Sequence, residues 1–231
     1  MKVNLIVAMC RNNGIGYAGQ IPWHIKTDLH YFAKLTKGAG KNAVVMGSNT
    51  WQSLPQGGGG LKGRDNLVLS ARKQFDLLHH DHTMKTFKTL AELDQFIGYQ
   101  SYEEIWVIGG AQIYQQFLEL DRINKCYITY IDRAFECDAF FPAIDLMPRW
   151  REVEKTSIYD KTYDCQVDFL VYKYIDENDE AAHNEAAHNE AAHNEAEHNE
   201  AKHNEAEHNE AKHDEAEHVA EEKGSTPPQD F

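Results

Sequence analysis

The segment Ile105-Trp106-Val107-Ile108-Gly109-Gly110-Ala111-Gln112-Ile113-Tyr114 changes character once, at its glycine pair. Four consecutive apolar residues cannot alternate between a wet and a dry face, so 105–108 reads as a strand covered on both sides. The residues that follow, near 110–119, read as a helix. Paired glycines at such a junction let a backbone come close to a ligand, and a helix start can receive phosphate oxygens. The pair is not the GxGxxG dinucleotide fingerprint, and the plain alternative is a tight turn. Met46-Gly47-Ser48-Asn49-Thr50-Trp51 repeats the arrangement of strand, glycine and helix start. Two such openings would hold the two ends of one pyrophosphate.

Outward from these junctions the same alternation continues. Residues 3–9, 43–46 and 66–70 read as further doubly covered strands, with helical segments near 26–37, 49–54 and 89–98. Strands alternating with helices predict crossover units and a mainly parallel sheet. The pattern then changes. Residues 125–131, 151–159 and 166–175 come without helices between them, which suggests antiparallel addition at one side. In the last of these, Val167, Phe169 and Val171 alternate with Asp168, Leu170 and Tyr172. The fold class is α/β with a mixed sheet.

Ile21-Pro22-Trp23-His24-Ile25-Lys26-Thr27-Asp28-Leu29-His30-Tyr31-Phe32 carries the chemistry. Leu29, Phe32, Ala33 and Thr36 follow the helical period, and Asp28, four residues before Phe32, shares their face. Burying a carboxylate costs several kcal/mol unless something polar meets it, so a small polar ligand is one reading and a helix-start carboxylate bonded to backbone N–H groups is the other. Burial would raise its pKa and the helix start would lower it. The preceding loop 11–20, with three glycines and two asparagines, reads as a mobile lid or as an ordinary connection. Gly57-Gly58-Gly59-Gly60-Leu61-Lys62-Gly63-Arg64 lacks the Gly-Lys-Ser/Thr ending of a phosphate loop and precedes a strand, which excludes that motif. Arg64 there is either a bidentate carboxylate clamp or a solvated side chain. His24 and His30 read as surface residues, Trp23 and Trp106 as packing. No serine or cysteine triad is present.

Composition divides the chain of 231 residues in two. Residues 176–231 hold 3 Lys against 18 Asp and Glu, which accounts for the formal net charge of −14; residues 1–175 are near neutral. The first part is long enough for one well-buried domain and has no basic patch with interleaved aromatics, so nucleic-acid binding is not expected. Cys10, Cys126, Cys137 and Cys165 show no metal or redox spacing; Cys10 and Cys126 lie in apolar runs and read as small buried hydrophobes in a reducing, cytoplasmic setting. No stretch is long enough to span a membrane. Residues 181–218 repeat a pentad built on Glu-Ala-Ala-His-Asn with eight histidines. A period of five advances about 140° per repeat on a helix, so the histidines make no stripe. With only Ala to bury, the tail is expected to be largely disordered or a frayed helix.

The ordered series Gly14-Ile15-Gly16, Ile21-Pro22-Trp23, Asp28-Leu29 with Phe32, Met46-Gly47 with Thr50-Trp51, Leu61-Lys62-Gly63-Arg64-Asp65-Asn66, Val107-Ile108-Gly109-Gly110 with Ile113-Tyr114, Ile128-Thr129-Tyr130-Ile131-Asp132 and Asp138-Ala139-Phe140-Phe141-Pro142 resembles dihydrofolate reductase over residues 1–175. The resemblance implies a central eight-stranded, mostly parallel mixed sheet flanked by four helices, acting as a monomer. It implies NADPH-dependent reduction of dihydrofolate to tetrahydrofolate. Asp28 would bind the pterin amino group and N3, supported by Thr129, with Ile21 on the lid near the nicotinamide. Ile6, Ala8, Leu29, Phe32, Leu54 and Ile108 would wall the substrate, and Arg64 would clamp its glutamate α-carboxylate. The cofactor would lie along Ala8, Ile15, Gly47, Ser48, Asn49, Thr50, Leu69, Ser70, Ala71 and Arg72, and along Gly109, Gly110, Ala111, Gln112, Ile113 and Tyr114. A cis bond at Gly109-Gly110 is expected by the same analogy.

Two departures stand out. Ser48-Asn49 follow the Met-Gly where many relatives carry a cation, and Gln112 replaces a frequent Arg on the second phosphate-binding helix; Ser70 and Arg72 are the candidates to compensate. The alternative enzyme is the same-fold reductase of riboflavin synthesis, which is not expected to show Pro22-Trp23, Asp28 and Arg64 in this register. For the tail, the alternatives are a metal- or partner-binding appendage and an inert, solubilising repeat.

Overall fold

A computed structural model describes residues 2–54, 60–72, 77–78, 83–120, 122–142 and 149–175. The pentad repeats, the rest of the tail and glycines 57–59 lie outside the described residues. The strands are β1 (Lys2–Cys10), β2 (Gly14–Gly16), β3 (Ala43–Gly47), β4 (Asp65–Leu69), β5 (Leu77–Leu78), β6 (Thr83–Phe87), β7 (Glu104–Gly109), β8 (Lys125–Ile131), β9 (Ala139–Phe140), β10 (Trp150–Asp160) and β11 (Cys165–Tyr174). The helices are α1 (Lys26–Lys37), α2 (Ser48–Ser53), α3 (Leu90–Gly98) and α4 (Ala111–Glu119).

The main sheet runs β10-β11-β8-β1-β7-β3-β4-β6-β5. Its first eight strands are the expected mixed sheet, parallel from β8 through β6 and antiparallel where β11 and β10 add to β8. The two-residue β5 extends the edge beyond β6, and β2 pairs with β9 in a small separate sheet. The doubly covered strands behave as their apolar runs require. Leu5, Val7, Val45, Ile105 and Val107 face one core with Leu93 and Ile97 of α3 and Ile113 and Phe117 of α4. Ile6, Val44, Met46, Trp106 and Ile108 face the other, against Phe32 and Leu35 of α1 and Trp51 of α2. A third cluster joins Cys10, Trp23, Ile25, Ile131, Cys165, Val167 and Phe169 beside β8 and β11.

Two local readings need correction. β6 is a strand where the sequence reading placed none, because its Thr83-Met84-Lys85-Thr86-Phe87 pattern breaks the apolar run. The sheet admits it through Met84 and Phe87, while the Lys85 ammonium lies over the Phe96 ring at 4.7 Å from its centroid. Along β11 the alternation does not separate wet from dry: Val167 through Val171 are all buried, because Val167 and Phe169 pack into the third cluster and Leu170, on the opposite face, into the first. Asp168 is therefore a buried carboxylate. It bonds Lys155 Nζ at 2.9 Å and accepts from Gln166 Nε2 at 2.7 Å and from the Ser157 side chain.

Burial alone would push the Asp168 carboxyl up, but the bonds from Ser157, Lys155 and Gln166 outweigh it and hold the group below the ordinary carboxylate value. A depressed native pKa stabilises the fold above the unfolded pKa, and that contribution is lost as pH falls through the native value. Asp168→Ala should cost about 2 kcal/mol near neutral pH. In denaturant titrations of both proteins, the gap should shrink once the pH drops below 3.8.

Candidate active site

Asp28 lies in the first turn of α1, and β8 supplies its partner. Thr129 is buried, flanked by Ala8 of β1 and Phe169 of β11 in the strand register, and its hydroxyl bonds the Asp28 carboxylate. The helix start is capped by Ile25, which makes no side-chain cap bond. The two opposing influences on Asp28 are thereby ranked. Burial raises its pKa above the ordinary value, and the Thr129 bond only partly offsets it. A carboxylate held this way is a costly feature in an empty fold and a strong acceptor pair for a ligand with neighbouring N–H groups.

The apolar wall assembles around it in part. Ile6 and Ile108 belong to one buried cluster, with Phe32 and Leu54 packed against it. Ala8 packs on the neighbouring cluster with Trp23 and Ile25. Leu29 and Ile21 are exposed instead, so the inward face of α1 is Tyr31, Phe32, Leu35 and Thr36, with Leu29 left outside both clusters. Trp23 is buried as expected and packs at a tilt against the Phe135 ring, but its Nε1 has no hydrogen-bond partner among the described residues. His24 and His30 are exposed, as surface residues should be.

Arg64 resolves against the solvated reading. A turn built on buried Asn66, which exchanges bonds with Leu61 and the Arg64 carbonyl, delivers it to the start of β4. Its side chain is buried. It donates to the Lys62 carbonyl at 3.2–3.3 Å and to the Thr36 hydroxyl, and its guanidinium lies 6.0 Å from the Phe32 ring centroid. Burial lowers its pKa, and no carboxylate within ion-pair distance of it occurs among the described residues. A buried cation with only neutral partners fits an anionic ligand.

The two glycine openings converge. A Cβ built on Gly110 would lie 3.2 Å from Thr50 Oγ1, and one on Gly47 would lie 3.2 Å from Ile113 Cγ1 and 3.9 Å from the Gly109 carbonyl oxygen. The Gly109–Gly110 bond is cis, as the resemblance implies. Gly109 has φ +108°, and a Cβ there would come within 2.9 Å of the Tyr114 ring, so only glycine serves. Tyr114 itself is buried, with its hydroxyl committed to the Ile6 carbonyl at 2.8 Å and its ring edge-on to Phe141. Ser48 and Asn49 open α2. Gln112 is exposed beside Gln115, Gln116 and Glu119 on a face of α4 without a cation. Leu69 ends β4 and Ser70 is buried, its N–H donating to Phe87; Ala71 and Arg72 are exposed. Ile15 is half-buried in β2 against the first core.

Sequence reasoning missed Thr36 as the partner of Arg64 and the orphaned Trp23 indole. Thr36 looked like one more position on the helical face; eight residues after Asp28, it shares that carboxylate's side of α1, which was the available signal.

A mostly parallel sheet whose strand ends carry two glycine junctions, beside a half-buried carboxylate, matches the class of α/β enzymes that take their ligands at strand ends. Comparison with known proteins narrows this. The family model described as "Dihydrofolate reductase" matches residues 2–174. The chain is 36% identical to the dihydrofolate reductase of Aedes albopictus over 149 residues, 62% of this chain and 80% of that protein. It is 38% identical to that of Drosophila melanogaster over 153 residues, 62% and 81% of the two chains. For the Heliothis virescens enzyme the figure is 37% over 150 residues, 63% and 81%. The chain belongs to the dihydrofolate reductase family.

Proposed function

We propose that this protein reduces 7,8-dihydrofolate to 5,6,7,8-tetrahydrofolate with NADPH, in residues 1–175, as a monomer in the cytoplasm, with 176–231 as an appendage. The observation that carries this reading is Asp28, half-buried in the first turn of α1 and bonded to Thr129. Asp28 accepts from the pterin amino group and N3, and Thr129 fixes the orientation of its carboxylate. Asp28 does not touch N5; its charge favours the protonated ring, and water delivers the proton under control of the 11–20 lid. Ile6, Ala8, Leu29, Phe32, Leu54 and Ile108 line the substrate, with Ile21 closing over it from the lid. Arg64, already oriented by Thr36, takes the glutamate α-carboxylate in a bidentate pair.

The glycine junctions fit the cofactor, because Cβ atoms at Gly47, Gly109 and Gly110 would crowd Ile113, Tyr114 and Thr50, so glycine alone lets the starts of α2 and α4 draw together for a pyrophosphate. Thr50, Ala111 and the start of α4 hold it, with Ser48, Asn49, Gln112, Ile113 and Tyr114 around them, Leu69, Ser70, Ala71 and Arg72 after β4, and Ala8 and Ile15 completing the cofactor contacts. When bound, NADPH supplies the hydride received at C6 of the substrate. Nothing in the fold, the site or the relatives favours the riboflavin-pathway reductase.

In an assay following absorbance at 340 nm with dihydrofolate and NADPH, Asp28→Asn should lose at least ~100-fold in turnover while remaining folded. Retention of wild-type turnover would refute the assignment of Asp28. NADPH should be preferred to NADH by a smaller margin than in relatives with cations at these positions, since each missing charge-assisted bond is worth roughly 1.5–3 kcal/mol. The ratio of kcat/KM values for the two cofactors checks this, and equality or an NADH preference would contradict it.

A further inference from the structure

We propose that Cys10 and Cys137 form a redox modification site that reacts with small-molecule disulfides and locks the base of the 11–20 loop. Cys10 is the fully buried last residue of β1, and Cys137 is half-buried two residues before β9. They are 127 residues apart in sequence, yet their Sγ atoms are 3.8 Å apart. Closing that gap to the ~2.05 Å of a disulfide needs a small side-chain movement.

The loop runs directly over the pair. A Cβ on Gly14 would lie 2.3 Å from Cys137 Sγ and 3.0 Å from Cys10 Sγ. The loop's bonds are made on both sides of the two sulfurs. Cys10 Sγ donates to Asn12 Oδ1 at 2.8 Å, and Asn13 N donates to the Cys10 carbonyl at 2.8 Å. From the other side, Asp138 N donates to the Gly16 carbonyl at 3.0 Å, Ala18 N to Asp138 Oδ2 at 2.8 Å, and Phe141 N to the Asn13 carbonyl at 2.8 Å. A covalent link between the two sulfurs thus joins the strand at the loop's start to the segment that pins its middle, and removes the donor now held by Asn12.

The chemistry is thiol–disulfide exchange. The partly accessible Cys137 loses its proton to solvent and attacks one sulfur of the external disulfide, breaking its S–S bond and expelling one thiolate. Cys10 then loses its proton and attacks Cys137 Sγ, expelling the second. Two protein thiols are oxidised to one disulfide, and the external disulfide is reduced to two thiols. Burial and the neighbouring Cys10 thiol push Cys137 up to about 11, so the exchange is slow at neutral pH and quickens in alkali. Cys126 is buried in β8, and Cys165 shares the Cys10 cluster, but the sulfur contact in the structure is with Cys137.

The test uses the full-length protein, incubated near pH ~8.5 with excess 2-hydroxyethyl disulfide, then mapped by mass spectrometry without reduction. The expected product is ~2 Da lighter than the reduced protein and yields one Cys10–Cys137 cross-linked peptide. Turnover should fall about threefold or more through restricted loop motion and return on addition of dithiothreitol. Cys137→Ser should give no cross-link and keep its activity through the same treatment. Absence of reaction at Cys137, a persistent adduct there, a cross-link through Cys165, or the Cys10–Cys137 bond with unchanged turnover would each overturn the proposal. The peptide map is independent of the reductase assignment, so failure of one is distinguishable from failure of the other.

Discussion

A half-buried carboxylate in the first turn of α1 is met by a hydroxyl from the middle of β8. The rest of the structure is arranged to make that pairing hold. Left alone, Asp28 is a liability, since its charged form is disfavoured by burial more than the Thr129 bond restores. Proteins retain such groups most often where a ligand supplies the missing polar partners. Thr129 is fixed by strands on both sides, α1 is fixed by its packing on the sheet, and Trp23 and Ile25 close the entry to the helix.

The sheet sets the distances between the working parts. Parallel strands β1, β7, β3 and β4 bring the residues at their ends to neighbouring positions, so glycines distant in sequence share one cradle. The register of β7 shifts between Val45 and Met46 of its neighbour, which places Gly109 opposite Met46 and turns the chain into α4. Tyr114 then reaches back across this turn to the Ile6 carbonyl, tying the start of α4 to β1. Arg64 is supported by a neighbouring helix through Thr36, so the two polar anchors, Asp28 and Arg64, are both braced by α1.

Much of this was legible without coordinates. Short apolar runs marked β1, β3, β4 and β7 because a strand covered on both faces shows few polar positions, here the buried Asn4 and Asn66. The glycines ending β3 and β7 marked the two helix junctions, and the order of motifs marked the family. What escaped was whatever depends on a neighbour distant in sequence. β6 carries too many polar residues to announce itself and is a strand because β4 offers it an edge. Asp168 showed only as one polar position in an alternating run; its partners Lys155 and Ser157 come from the neighbouring strand β10. Leu29 kept the helical period but lies beyond the packed part of α1. The same limit hid the approach of Cys137 to Cys10 and the bond from Arg64 to Thr36, since no local pattern records a contact made through space.

The most direct measurement on the central claim is the titration of the Asp28 carboxyl itself, followed by its ¹³Cγ resonance in the ligand-free protein. A midpoint above the ordinary 3.8 is expected, with the resonance moving when Thr129 is changed to Val. A midpoint at or below 3.8, unaffected by Thr129→Val, would show a solvated side chain and contradict the account of the site.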